Sequence, residues 1–66
     1  MEINVNGEPR QVAETCSVAQ LIEEMGLTGR RLAVEVNLDI VPRSSHASHQ
    51  LQAGDKVEIV HAIGGG

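Results

Sequence analysis

The sequence has no Phe, Tyr or Trp, a single cysteine, and only five Lys plus Arg against nine Asp plus Glu. Without aromatic rings there are no platforms on which single-stranded bases could stack. The formal net charge of −4 opposes the phosphate attraction that supplies most nucleic-acid affinity, so nucleic acid is a poor candidate partner. Cys16 has no intramolecular disulfide partner, which fits a reducing cytoplasm better than secretion. The longest uninterrupted apolar run is Leu32-Ala33-Val34, far short of the roughly 20 residues of a membrane-spanning helix. Met1 to Arg10 show no basic segment followed by an apolar stretch, so no signal peptide and no membrane association are expected.

What remains is an all-aliphatic chain of 66 residues, 41% hydrophobic and 21% charged, an ordinary globular balance for one small domain. A chain of this size buries only about 60% of the surface its unfolded form exposes. Its core is therefore thin, and function is expected on a surface or at an end rather than in a deep pocket. No Ser/His/Asp, Cys/His or paired-carboxylate arrangement can be placed in such a pocket, so the chain is not expected to be an enzyme. His46 and His49 at i, i+3, with His61, lack partners at zinc-ligand spacing; they read as exposed residues, and no metal is expected. Cys16 stands beside a predicted helix N-terminus, where a thiol's pKa falls, yet an isolated cysteine is more simply a small buried hydrophobe. Arg30-Arg31 reads as a solvated connection, and Arg43 as either a partner contact or a loop charge.

Ile3 and Val5 alternate with polar neighbours in a half-buried strand. Asn6-Gly7 follows, the pair best suited to a tight hairpin turn, and Pro9 to Glu14 reads as the returning strand, anchored by Val12. Ser17 and Gln20 form a capping box, and Val18, Leu21, Ile22 and Met25 make one apolar stripe over about two and a half helical turns. Gly26 suits the left-handed residue after the helix, with Leu27 folding back. Leu32, Val34 and Val36 alternate in a further strand, Asn37-Leu38-Asp39 turns into the short strand Ile40-Val41, and Pro42 ends it. Ser44 to Gln50 reads as a polar loop with at most a short helical turn, and Leu51 as an anchor. Ala53-Gly54-Asp55 is a turn, and Lys56 to Ile63 the last strand.

A helix with one apolar stripe covers one sheet face. With the first and last strands adjacent and parallel, the sheet grasps the helix. The expected class is α+β, a β-grasp (ubiquitin-like) domain over residues 1–63, with a mixed sheet of four to five strands around one main helix. A ferredoxin-like fold ranks lower because it needs two helices.

Four of the seven glycines fall at turns, caps or connections; Gly64, Gly65 and Gly66 form a tail. Lacking Cβ atoms, such a tail is thin enough to thread a carboxylate into a narrow channel, although frayed termini are common. The sequence resembles the ubiquitin-like sulfur carriers, most closely the ThiS type of thiamin biosynthesis. The resemblance runs through Met1 to Gly7, Ser17 to Glu23, Val36-Asn37 leading to Ile40-Val41-Pro42-Arg43, and above all Gly54-Asp55-Lys56-Val57-Glu58-Ile59-Val60-His61-Ala62-Ile63-Gly64-Gly65-Gly66.

The resemblance implies a carrier rather than a catalyst. In such families a ThiF-type adenylyltransferase, using ATP and magnesium, activates the terminal carboxylate. A sulfur donor, such as a cysteine desulfurase or rhodanese-like protein, then leaves a thiocarboxylate there, and a ThiG-type thiazole synthase takes the sulfur. Carried onto this sequence, Gly66 would hold the reactive carboxyl, with Gly65 and Gly64 completing the tail. The carrier itself would bind no cofactor and be a monomer when free.

Both faces of the last strand become apolar towards the tail. Val60 and Ala62, with Ala33, are therefore expected to dock partner enzymes, although aliphatic residues are often exposed singly without meaning. Competing readings are a sulfur carrier for another pathway (as the small subunit of molybdopterin synthase), a non-covalent interaction module with an inert tail, and a protein modifier.

Overall fold

In the computed structural model, which describes residues 1–61, Asn6 (φ 51°) and Gly7 (φ 87°) both take left-handed backbone. That is the two-residue turn whose twist matches paired strands, and it joins β1 (Glu2–Val5) to β2 (Glu8–Gln11). The second strand is shorter than the expected run to Glu14. Met1 and Val12 still exchange backbone bonds, and Val12 is buried, but the Cys16 N–H donates to the Ala13 carbonyl and closes a turn there.

Ser17 then opens α1 (Val18–Glu24). Its hydroxyl accepts from the Gln20 N–H at 3.1 Å, while the Gln20 side chain accepts from the Ser17 N–H at 2.9 Å. The helix has seven residues, about two turns rather than two and a half. Gly26 (φ 72°) accounts for the difference. The Gly26 N–H donates to Glu23 and the Leu27 N–H to Ile22, a paired closure that needs left-handed backbone at Gly26 and leaves Met25 as the cap.

β3 (Leu32–Val36) and β4 (Asp39–Val41) form a second hairpin, and β5 (Lys56–His61) returns between the two hairpins. The sheet order is β2-β1-β5-β3-β4, with β1 and β5 parallel at the centre and the other pairs antiparallel. This is the β-grasp arrangement. Ile3, Val34 and Val57 are each at most 1% exposed, and they meet the equally buried Val18 and Leu21 of the helix. Residues 62 and 63, assigned above to the last strand, and the glycine tail 64–66 lie outside the described residues.

The short helical turn expected in the polar stretch after Pro42 is a 3₁₀ turn, Arg43–Ser45, slightly earlier than expected. The rest of the stretch lies across the start of α1. The carbonyls of His49 and His46 accept from the N–H groups of Val18 and Ala19 at 3.0 and 2.9 Å. Those donors have no partner within the helix. His46 and His49 are consequently half-buried rather than exposed, and the His46 ring nitrogen Nε2 lies 3.1 Å from the Val41 carbonyl. Leu51 anchors the segment, 2% exposed.

Candidate functional site: the open sheet face and the end of the last strand

Alternation along β5 turns Val57 and Ile59 towards the helix and leaves Lys56, Glu58 and Val60 on the opposite face. Among the described residues α1 is the one α-helix, so nothing described covers that second face. Ala33 is the direct cross-strand partner of Val60, and both are exposed. One step along the ladder, Glu35 pairs with Glu58 on one side and Ile40 on the other. The apolar pair Ala33–Val60 therefore borders an acidic pair, and like charges placed directly opposite destabilise a sheet by a few tenths of a kcal/mol.

Sequence reasoning brought Val60 and Ala33 together but passed over Ile40 and Leu38. Ile40 is 72% exposed on the same face, and Leu38 is 86% exposed at the tip of the β3–β4 turn. A signal for Ile40 was present: Val41 and Ile40 point to opposite faces, and only one can join the core. Leu38 takes φ 73°, a conformation that costs an ordinary side chain about 1–2 kcal/mol.

The last described strand pair is Leu32↔His61. The remaining candidates, Ala62, Gly64, Gly65 and Gly66, lie outside the described residues. Cys16 is 1% exposed, and burial, reinforced by the charge of Glu24 and only partly offset by Arg10, pushes its thiol above the ordinary value. That environment disfavours the thiolate, and Cys16 packs as a member of the hydrophobic core.

Behind the sheet, a groove of about 300 Å³ opens between the helix and the segment after Pro42. Its walls include Ile22, Leu27 and Leu32, and both Arg30 and Arg43 line it. Among the described residues, no three of His, Cys, Asp and Glu gather as a metal site, and no helix is long and apolar enough to cross a membrane.

Comparison with known proteins gives one consistent result. The model of the ThiS family matches residues 3–66. Over its full length the chain is 33% identical to the sulfur carrier protein ThiS of Escherichia coli strain K12, covering 100% of both. It is 47% identical to a thiazole synthase of Paramagnetospirillum magneticum, of which it spans only 20%. A crystal structure of a thiamine biosynthesis protein, ThiS, from Geobacter metallireducens superposes with a TM-score of 0.86 at 30% identity, covering 100% of each chain.

Proposed function

This chain belongs to the ThiS family, and from that premise we propose that it is a sulfur carrier of thiamin biosynthesis, working in the cytoplasm and loaded at the Gly66 carboxylate. The observation that supports this most is the end-to-end likeness to a sulfur carrier protein on a matching β-grasp body.

The chemistry follows from the weakness of a carboxylate as an electrophile. Its charge is delocalised and repels nucleophiles. In the proposed first step a Gly66 carboxylate oxygen attacks the α-phosphorus of ATP in an adenylating partner, and pyrophosphate leaves. The acyl-adenylate so formed is neutral at the carbonyl and carries a good leaving group. A sulfide-level nucleophile then adds to the carbonyl carbon, and AMP departs with the C–O electron pair. The product thiocarboxylate is an anionic, polarizable nucleophile suited to delivering sulfur to the thiazole-forming enzyme. The carrier supplies the acyl group and no catalytic side chain.

Thiazole synthase is the proposed acceptor. Two relatives bearing that name, 47% and 36% identical to this chain, are each matched over 20% of their length, which fits a carrier and an acceptor that work together. The adenylating enzyme and the acceptor would dock on the open sheet face through Val60, Ala33 and Ala62, with Ile40 extending the patch. Val60 is 56% exposed, so Val60→Asp removes no core contact. It is expected to weaken binding to the adenylating enzyme by about tenfold or more, the loss typical of a charge buried in an apolar contact. Circular dichroism should give an unchanged melting temperature. Titration calorimetry returning the unaltered affinity would remove the docking face from the proposal.

The reaction itself is tested by intact mass spectrometry after incubation with a ThiF-type enzyme, ATP, magnesium and sulfide. The expected result is a shift equal to one oxygen replaced by sulfur, absent from a variant lacking Gly66. No shift in a folded chain with an active enzyme would overturn the carrier reading. A shift of thousands of mass units would instead indicate conjugation to another protein.

A further inference from the structure

β1 pairs with β5 only through Asn4↔Lys56 and Val5↔Val57, and at Val5 the hairpin turns away. On that side, β5 would have no strand partner from Glu58 onward. Asn6 takes up the pairing. Its backbone N–H donates to the Val57 carbonyl at 2.9 Å. Its side-chain Oδ1 accepts from the Ile59 N–H at 2.8 Å, and its Nδ2 donates to the Ile59 carbonyl at 3.2 Å. The carboxamide thus acts as one more peptide group in the ladder, holding both backbone groups of Ile59.

Turn chemistry does not account for this clamp. A left-handed residue in a two-residue hairpin can equally be Asp or Gly. Only Asn offers a donor and an acceptor side by side: Gly has neither, and an ionised Asp would set a second oxygen against the Ile59 carbonyl. Ile59 is the last β5 residue held from this side among the described residues, and Ala62 follows three residues later. On the other side, β3 pairs as far as His61.

We propose that Asn6 is a positioning residue for sulfur loading: its carboxamide holds β5 at Ile59, two residues before His61, and with β3 on the other side sets the direction in which residues 62–66 are delivered to the adenylating centre. The inference rests on the reading of Gly66 as the loaded group. Five residues span at most about 17 Å, so the direction of the strand end limits where the carboxylate can be delivered. A displacement of about 1 Å at a reacting group can lower rate by as much as 100-fold. The role proposed for Asn6 is exerted through the strand, by way of its two hydrogen bonds to Ile59.

The test compares the unmodified full chain with Asn6→Gly and Asn6→Asp as substrates of a ThiF-type enzyme, by ATP–pyrophosphate exchange. Amide hydrogen exchange at Ile59 is followed in the same samples. Both variants keep a turn-compatible residue, so the hairpin is retained. Both are expected to expose the Ile59 amide to faster exchange and to lower kcat by about tenfold, with KM within about twofold, because the loss falls on delivery rather than docking. Asn6→Asp should be the more severe. Faster Ile59 exchange with kcat unchanged in both variants would overturn the inference, leaving the clamp purely structural. A raised KM with kcat preserved would overturn it equally, by assigning Asn6 to docking. Failure of the unmodified chain to support exchange would overturn the carrier reading itself, an outcome visible before either variant is compared.

Discussion

Replacement of Leu21 by Ala is expected to remove most of the stability of this domain. Leu21 lies at the centre of the apolar stripe of α1 and is 0% exposed, enclosed with Val18 against the sheet. Truncating a fully enclosed Leu loses the transfer free energy of its methyl groups and leaves a cavity, together about 2–5 kcal/mol. A chain of this length has a total stability of only about 3–10 kcal/mol, so the change takes a large share of it. In a domain of this size each kcal/mol lowers the melting temperature by about 4–8 °C. Leu21→Met keeps the volume and is expected to cost less than about 1.5 kcal/mol. Urea unfolding followed by circular dichroism distinguishes the two. A loss below about 1 kcal/mol for Leu21→Ala would mean that the sheet closes over the gap, contrary to the packing described.

At the other end of the chain the expectation reverses, with a large effect on chemistry and none on folding. Gly65→Ala and Gly66→Ala should leave the unfolding transition where it is, because among the described residues the buried core is assembled between Ile3 and Ile59. The proposed adenylation brings the backbone at Gly65 and Gly66 into a narrow channel beside the reacting carbonyl. A methyl group there either clashes with the channel wall or displaces the carboxylate. The expected loss in adenylation rate is on the order of 100-fold, the scale of an ångström-sized misplacement. Single-turnover formation of the acyl-adenylate measures it directly. Native rates in both variants would sink the threaded-tail mechanism, and unfolding of either would contradict the separation of body from tail.

Much of the fold was legible because its signals are local. The Asn6-Gly7 turn, the Ser17–Gln20 capping box and the Gly26 closure each involve residues within a few positions of one another, and each is formed. The single apolar stripe of the helix required one covered sheet face, and the strand order then left the grasp as the arrangement that supplies it. The helix came out shorter than its stripe because Met25 is apolar and half-buried, yet serves as the cap. Periodicity reads burial and does not read where the hydrogen bonds stop. The exposed histidine loop was misjudged for a related reason. Its polarity suggested solvent, but its carbonyls face the unpaired N–H groups at the start of α1, and no pattern within residues 44–50 announces that.

The asparagines illustrate the same boundary. Asn6 and Asn37 both take left-handed backbone, as their turns require. Asn37 also accepts from the Lys56 N–H through its side chain and donates to the Lys56 carbonyl through its backbone. The two turn residues therefore secure β5 near its start and near its end, from opposite sides.

By itself the sequence determined the element types, the one-sided helix, the glycine ending and the family likeness, because composition, periodicity and capping depend on near neighbours along the chain. Only the tertiary structure decided which side of the sheet stays open, that Ile40 lies on the same face as Val60 and Ala33, and that Asn6 holds Ile59. Those contacts join residues far apart in sequence, and their partners are set by strand register and sheet order, which no local pattern specifies.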